Sequence, residues 1–117
     1  MGIILHMHRI MKRIRTFYVY ILTNRYNTVL YTGVTNNLGR RLSDHRNRVH
    51  PRSFTAQYNV HKLVWFETFT SIRAAIAREK QIKAGSRRKK IALVERENSG
   101  WRELWPVASA RFSVPKQ

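Results

Sequence analysis

The sequence predicts an α+β fold, a small three-stranded antiparallel sheet flanked by helices in the order β-β-α-β-α-α. Two runs of aromatic and β-branched residues near the start of the chain are separated by a short polar turn, which is the pattern of a β-hairpin. A third run of this kind follows later, and three amphipathic stretches each begin after a residue that caps helices well. The 117 residues suffice for one compact domain.

The hairpin lies in the stretch YVYILTNRYNTVLYTG. Phe17–Thr23 alternates and is rich in aromatic and β-branched residues, so it predicts a strand. Asn24–Asn27 supplies turn-forming residues, and Thr28–Thr32 is the returning strand. Gly33 ends that strand, at a point where backbone freedom or a close approach is useful.

Two tyrosines stand in the two arms of this hairpin. If Thr23 pairs with Thr28 across a four-residue loop, Tyr20 faces Tyr31 on one side of the sheet. A slip of one residue would place the two rings on opposite faces. The pair is either a site for chemistry or a cross-strand aromatic contact that only packs.

The remaining elements follow from capping residues and apolar spacing. Asn36 or Asn37 predicts the start of a helix over Leu38–Arg48. The buried stripe of this helix is expected at Leu38, Leu42 and Val49. A loop from Pro51 through RSFTAQYN and a strand over Leu63–Phe69 are predicted next. A helix from Ser71 to Lys83 follows, with Gly85 as its C-terminal stop, and its apolar face carries Ile72, Ala75, Ile76 and Ile82. The last predicted helix runs from Ser86 to Glu97 and ends at Asn98.

These elements divide the chain into three parts. Residues 17–105 are expected to form the domain, with WRELWP at its end packing back on the core. Residues 1–16 are expected to be an N-terminal extension, since they show no clear period, and residues 106–117 a C-terminal tail.

The charge of the chain predicts its partner. Lys and Arg number 23 against 6 Asp and Glu, a formal net charge of +17, and such a field attracts polyanions, nucleic acid first. An anionic membrane surface, or charge that serves only solubility, is the alternative. The absence of cysteine excludes disulfides and cysteine-based zinc sites. No apolar run approaches the roughly 20 residues that span a bilayer, so we expect a cytoplasmic protein without a membrane partner.

Polar or charged residues fall on or close to the apolar faces of two predicted helices. Glu79 lies between Ile76 and Ile82, where a carboxylate must be at the edge of the stripe, paired with a basic residue, or bound to a metal ion. Arg41 and His45 are four residues apart and therefore share a face of the first helix. A solvated basic face is the simpler interpretation of that second pair.

Together these features resemble the GIY-YIG nuclease domain, in particular its short, single-domain bacterial (URI-type) members. The two half-motifs are Tyr18-Val19-Tyr20 and Tyr31-Thr32-Gly33, and the chain is similar to that branch in the pattern YVYIL…YTGVTNNLGRRLSDH…EKQIK. The resemblance extends over about residues 17–104. The positions that correspond to functional residues of the family are Tyr20, Tyr31, Arg41, His45 and Glu79 as catalytic residues, with Gly33 and Asn98 in support.

The resemblance implies hydrolysis of DNA phosphodiester bonds with one Mg²⁺ or Mn²⁺ ion bound at Glu79. Tyr31 would be the general base and Tyr20 would position water or phosphate, although the reverse assignment stays open. Arg41 would stabilise charge on the phosphoryl oxygens, and His45 would relay a proton or bind phosphate. Asn98 would hydrogen-bond phosphate or support the site.

The sequence departs from the family's motifs at three positions. Tyr18 replaces the glycine of the first triplet, Thr32 replaces an aliphatic residue, and Val34 stands where some repair nucleases carry lysine. None of these changes removes a catalytic group. Selectivity should be low or based on DNA structure, because no second domain for target recognition is expected.

Candidate backbone-binding cations are plentiful, and their simpler interpretation is solvated charge. A non-catalytic nucleic-acid-binding module that keeps the nuclease fold is the alternative function, and an RNA-binding accessory protein is a third. The candidate nucleic-acid-binding residues are Arg40, Arg46, Arg48, Arg52, Lys83, Arg87, Arg88, Lys89 and Lys90.

Overall fold

The computed structural model describes residues 15–105. The predicted α+β fold is confirmed, with one additional short helix. In chain order the elements are β1 (Phe17–Thr23), β2 (Leu30–Thr35), α1 (Leu38–Arg46), α2 (Phe54–Gln57), β3 (Lys62–Phe69), α3 (Ile72–Ala84) and α4 (Arg87–Glu97).

The three strands form one antiparallel sheet in the order β2-β1-β3. The predicted register between β1 and β2 is wrong by two residues, since Thr23 pairs with Leu30 and Tyr20 pairs with Gly33. A shift of two keeps every side chain on its face of the sheet. Tyr20 and Tyr31 therefore remain on one face, as diagonal neighbours instead of a directly opposed pair.

Asn24 explains the shift in register. Its Oδ1 accepts hydrogen bonds from the backbone N–H of Thr28 at 2.8 Å and of Val29 at 3.1 Å, and its Nδ2 donates to Thr28 Oγ1 at 2.7 Å. These bonds hold both residues in the turn. The returning strand consequently begins at Leu30 and continues past Gly33 to Thr35.

Each face of the sheet carries its own hydrophobic core, because side chains of β1 alternate between the two faces. On one face Tyr20 and Leu22 pack with Leu38 and Leu42 of α1. The opposite face is covered by α3 and α4. Its buried residues are Val19, Ile21, Val64, Trp65, Ala75, Ile82 and Val94.

The segment after α1 differs from the prediction. The helix ends at Arg46, and Arg48 takes the left-handed conformation (φ 51°) that commonly closes a helix, with the N–H of Val49 bonded to the carbonyl of Asp44 at 3.1 Å. The chain turns away at that point, so Val49 is exposed instead of buried. The stretch predicted as a loop contains α2, whose first backbone N–H groups are capped by Ser53.

The apolar face predicted for α3 is half right. Ala75 and Ile82 are buried, whereas Ile72 and Ile76 are exposed. The helix contacts the sheet along a narrower stripe than its apolar spacing indicates. Gly85 ends the helix in an extended conformation (φ −75°), so the left-handed freedom of glycine is not used there.

The residues after α4 return to the core as predicted. Leu104 donates its backbone N–H to the carbonyl of Leu63 at 2.8 Å, and Glu103 accepts from the N–H of Leu63 at 2.6 Å. Leu104 and Trp105 pack against the core on the α1 side of the sheet. The short C-terminal segment thus lies along the edge of β3.

The predicted tail (residues 106–117) and nearly all of the predicted extension (residues 1–14) lie outside the described residues. Between residues 15 and 105, the structure contains no helix of the length and apolarity needed to cross a membrane.

Candidate active site

Tyr20 lies at the centre of the site and is almost completely buried, with 1% of its surface exposed. Its ring passes directly over Gly33 on the neighbouring strand. A Cβ atom at position 33 would lie 2.5 Å from both the Cζ and the hydroxyl oxygen of Tyr20. Glycine is therefore required at position 33 for a close approach, not for an unusual backbone angle.

The hydroxyl group of Tyr20 connects two residues of α1. Arg41 donates from Nε to the Tyr20 oxygen at 3.4 Å, and His45 Nε2 lies 3.3 Å from the same oxygen. Burial raises the pKa of Tyr20 to about 12, although the hydrogen bond from Arg41 opposes the rise. Tyr20 is consequently a neutral phenol at physiological pH, and its O–H is free to donate to His45.

His45 is held from both sides of its ring. Nδ1 lies 2.8 Å from Thr55 Oγ1 on α2, while Nε2 faces Tyr20. Burial, followed by the positive charge of Arg41, lowers the pKa of His45 to about 4. The imidazole is therefore neutral and carries one N–H. If this proton is on Nδ1, the Nδ1–H donates a hydrogen bond to Thr55 Oγ1, and Nε2 accepts one from the Tyr20 hydroxyl.

Tyr31 is the more accessible of the two tyrosines. Its ring centroid lies 6.3 Å from that of Tyr20 and 5.7 Å from that of His45, and it is only partly buried. Tyr31 lines a hollow of about 100 Å³ together with Arg41 and His45. Of the two tyrosines, Tyr31 therefore borders the hollow and Tyr20 does not.

A second hollow adjoins the first at the N-terminal end of α1. It is larger, about 520 Å³, and includes Arg40, whose side chain is exposed. The two hollows share Arg41, Asp44 and His50. They form one continuous groove, which we call the α1 groove.

Glu79 is placed less directly. It lies on α3, which packs on the opposite face of the sheet from α1, and its side chain is 15% exposed with Lys83 Nζ at 3.4 Å. Burial is the main cause of the raised pKa of Tyr20, and the hydrogen bond and charge of Arg41 oppose it. Tyr31 and the negative charge of Glu79 raise this pKa further. The effect of Glu79 is the smallest of those acting on Tyr20, so Glu79 touches the site only through its charge.

The donor set limits the kind of metal that fits. Among residues 15–105 no group of three His, Asp or Glu side chains is arranged to hold an ion. A single carboxylate suits Mg²⁺, which keeps several water molecules and takes phosphate oxygens as further ligands. Glu79 fits that role, provided that a metal ion displaces the Lys83 ammonium group.

Asn98 is engaged in the fold. Its Nδ2 donates to the carbonyls of Val64 at 3.0 Å and of Arg102 at 2.9 Å, and its Oδ1 accepts from the N–H of Arg102 at 3.0 Å. Both amide hydrogens are used, so no donor remains for a phosphate group. The position of Asn98 favours support of β3 and the C-terminal segment over contact with a substrate.

The predicted backbone-binding cations are divided between two faces of the molecule. Arg40 lines the groove, Arg46 at the end of α1 forms an ion pair with Glu103, and Arg48 after the helix donates to Asn59 Oδ1. Arg87 donates to the carbonyl of Thr28 at 2.8 Å. The cluster Arg87–Lys90 belongs to α4, across the sheet from the groove, and Lys83 lies on α3 beside Glu79.

Several residues of the groove were missed in the sequence. Asp44 lies three residues after Arg41 and thus on the same face of α1, a helical spacing that was available as a signal. Ser53, Phe54 and Thr55 were assigned to a loop, and their proximity to Tyr31 and His45 depends on long-range packing. No local pattern in the sequence indicates that contact.

A model of the GIY-YIG catalytic domain matches residues 16–92. The chain belongs to the GIY-YIG family. The matched residues include the hairpin, α1 and α3, and hence Tyr20, Tyr31, Arg41, His45 and Glu79. The family and the fold expected from the half-motifs are confirmed.

Relatives within the GIY-YIG family carry the name UPF0213. A UPF0213 protein from Syntrophus aciditrophicus is 38% identical over 67% of this chain and 88% of its own length. UPF0213 protein CPE1444 from Clostridium perfringens is 42% identical over 66% of this chain and 81% of its own length. The solution NMR structure of UPF0213 protein BH0048 from Bacillus halodurans is 28% identical, covers 80% of this chain and 97% of that chain, and gives a TM-score of 0.49.

Proposed function

We propose that this GIY-YIG protein is a metal-dependent endonuclease that hydrolyses phosphodiester bonds in DNA with low or structure-based selectivity. The observation that carries the proposal is the cluster of Tyr20, Tyr31, Arg41 and His45, of which all but the buried Tyr20 line one solvent-accessible hollow. The net charge of +17 supports a polyanionic substrate. DNA structures that arise in repair or recombination are the proposed targets.

In this proposal Tyr31 removes the proton from the attacking water molecule. It is the tyrosine with access to the groove, whereas the hydroxyl of Tyr20 is buried and already bonded to Arg41 and His45. A phenol becomes an effective base when positive charge stabilises its anion. Arg41 lines the same hollow and supplies that charge.

Arg41 has a second role towards the substrate. Its Nε is held by Tyr20 and its side chain also interacts with Tyr31, so the guanidinium is positioned at the hollow where it can bind the oxygens of the phosphate that is cleaved. The hydrogen bond to Tyr20 raises the pKa of Arg41, so the guanidinium stays charged. Tyr20 and His45 act as positioning residues that orient Arg41 and hold Tyr31 in place.

Glu79 is the proposed metal ligand. A magnesium ion bound there, with its other positions taken by water and phosphate, would stabilise negative charge on the leaving oxygen. The metal ion would have to displace the Lys83 ammonium group, and phosphate oxygens would supply ligands that the protein alone does not. Metal affinity without DNA should therefore be weak.

The test of the proposal is cleavage of nicked, branched, single-stranded and double-stranded DNA in Mg²⁺ or Mn²⁺. The informative variants are Glu79→Gln and Arg41→Ala, with Glu97→Gln and Arg73→Ala as matched changes at exposed positions. We expect the first two to lose cleavage and the controls to keep it. Wild-type protein that binds these substrates but cuts none of them in either metal ion would contradict the proposal.

A non-catalytic nucleic-acid-binding module is the second candidate. The ion pair between Glu79 and Lys83 favours it, because a carboxylate neutralised by its own helix needs no metal ion. In that case neither the wild type nor any variant would cleave DNA, and Glu79→Gln would bind DNA as the wild type does.

A further inference from the structure

A ladder of aromatic rings leads from the groove to the surface. The ring of Tyr31 is stacked on Phe54 with centroids 6.3 Å apart and an interplanar angle of 24°, and Phe54 lies 4.8 Å from Tyr58. Tyr31 belongs to the site, but the next two rings extend beyond it. Phe54 is 47% exposed and Tyr58 is 54% exposed.

The segment that carries these two rings is held in place by a helix cap, two buried residues and one side-chain hydrogen bond. Ser53 caps α2, and Thr55 and Ala56 are buried beneath it. At the base of the segment, the side chain of Arg48 donates to Asn59 Oδ1 and ties its two ends together. The exposed rings are therefore presented on a fixed support, which limits the entropy lost when a ligand binds.

Positive charge surrounds the ladder. Phe54 lines the same hollow as Arg41 and Arg48, which outnumber the one acid there, Asp44, and the exposed Arg52 lies two residues before Phe54. Cationic groups that follow a phosphate backbone, together with rings on which bases stack, are the two components of single-strand binding sites. A purely structural pair of rings would be expected in the core, where their apolar area is removed from water.

We propose that Phe54 and Tyr58 form a stacking site for an unpaired DNA base adjacent to the phosphate in the α1 groove. The inference rests on the proposed function, and it adds the substrate class: DNA that is single-stranded at the point of cleavage. A base within a duplex has both faces covered by its neighbours, so it cannot reach the rings. An unpaired base can turn out of the strand while its phosphate stays beside Arg41.

The test is equilibrium binding by fluorescence anisotropy, without divalent cations so that no strand is cut. The probes are a short single-stranded DNA, its duplex, and the same strand with abasic residues at its centre. Phe54→Ala and Tyr58→Ala should each weaken binding of the single strand by about five- to tenfold, the lower end of the range for one stacked base. Duplex affinity should change by less than about twofold, and the abasic strand should bind both variants as it binds the wild type.

The matched control is Tyr26→Ala, because Tyr26 is an exposed ring in the turn of the hairpin, beside Arg25. It should leave all three affinities unchanged, and Tyr58→Phe should restore binding because it keeps the ring. Equal weakening for single strand and duplex, or none for either, would overturn the stacking site. Tighter binding of the RNA strand of the same sequence would overturn the assignment to DNA.

The two proposals fail separately. Base-dependent binding without cleavage in any metal ion would remove the nuclease and keep the stacking site. If Phe54→Ala and Tyr58→Ala cleave single strands and duplexes as the wild type does, the nuclease proposal is kept and the stacking site is removed.

Discussion

Tyr20 and Tyr31 share a face of the hairpin, yet the environments of their hydroxyl groups are opposite. The Tyr20 hydroxyl is enclosed by Arg41 and His45, and burial raises its pKa to about 12. Tyr31 borders the groove, where solvent and substrate have access. The proposed assignment of Tyr31 as base and Tyr20 as positioning residue rests on this difference in burial.

Phenylalanine at each position separates the two roles. Tyr31→Phe should lower the cleavage rate by about 10²- to 10⁴-fold, the usual contribution of a general base, with little effect on stability. Tyr20→Phe leaves Arg41 Nε and His45 Nε2 without their buried partner and should lower the free energy of unfolding by about 1–3 kcal/mol. Single-turnover rates and urea unfolding measure the two effects. Full activity in Tyr31→Phe, with cleavage lost in a stable Tyr20→Phe, would reverse the assignment.

His45 links the stability of the protein to pH. Its pKa is lowered to about 4 in the folded state from an ordinary value of 6.5, so the unfolded chain binds more protons between these values. Stability contributed by neutral His45 is complete above about pH 6.5 and is lost as the pH falls towards 4, by at most about 3 kcal/mol. Urea unfolding between pH 4 and 7 should show this loss.

His45→Gln provides the comparison for that measurement, since glutamine does not titrate. The slope of stability against pH in this range should be shallower in His45→Gln than in the wild type. Identical slopes would mean that His45 does not carry the effect.

At the scale of the elements, the contact between β1 and β2 depends on position 33. A methyl group there would lie 2.5 Å from the Tyr20 ring, which is buried and cannot move aside. Gly33→Ala should therefore cost about 1–3 kcal/mol of stability through overpacking, and it should lower cleavage because Tyr20 no longer orients Arg41. Gly100→Ala is the control, because its added methyl group meets only the Arg102 side chain at an ordinary 3.6 Å. The measurement is the midpoint temperature of thermal unfolding for both variants. Equal midpoint temperatures would show that the strands can separate to admit the methyl group.

The elements could be predicted where local signals dominate. Capping residues gave the starts of α1, α3 and α4, and Asn37, Ser71 and Ser86 each accept a backbone hydrogen bond as expected. The register of the hairpin was not predicted, because it depends on which N–H groups the Asn24 side chain takes from the turn. The exposure of Ile76 could not be read from spacing, since the width of the buried stripe depends on how α3 lies across the sheet.

At the scale of the molecule, basic residues lie on both faces of the fold, but those that contact DNA phosphates should lie on one side. Arg40 lines the groove and Arg52 lies beside the aromatic ladder, whereas Arg88 and Lys89 are exposed on α4, across the sheet. The double variant of Arg40 and Arg52 to Ala should reduce the salt slope of single-strand binding by about 1.4, because each lost phosphate contact removes about 0.7.

The corresponding change at Arg88 and Lys89 is the matched control, and it should reduce the slope less. Titration of the affinity against salt concentration for the two double variants measures this. A larger reduction for Arg88 and Lys89 would move the DNA path to the α3–α4 side and restore the interpretation based on the cluster Arg87–Lys90.

The candidate site was predictable as far as its residues lie on motifs. Tyr20, Tyr31, Arg41 and His45 are brought together in the fold, since three elements with fixed spacing carry them. Thr55 and Phe54 were not predictable, because α2 reaches the site only after the chain turns at Arg48. The separation of cations into two faces likewise depends on the complete fold.

The turn at Arg48 has a practical consequence for engineering. Arg48 and Asn59 both adopt left-handed backbone angles, φ 51° and 55°, and their side chains bond to each other. The ten residues between them therefore form a loop whose two ends are joined by the Arg48–Asn59 hydrogen bond. Lengthening such a closed loop is inexpensive, about 0.6 kcal/mol for each doubling. The segment is therefore suited to cassette exchange, in which new loops that keep Thr55 would redirect the choice of substrate while the hairpin and α1 stay unchanged.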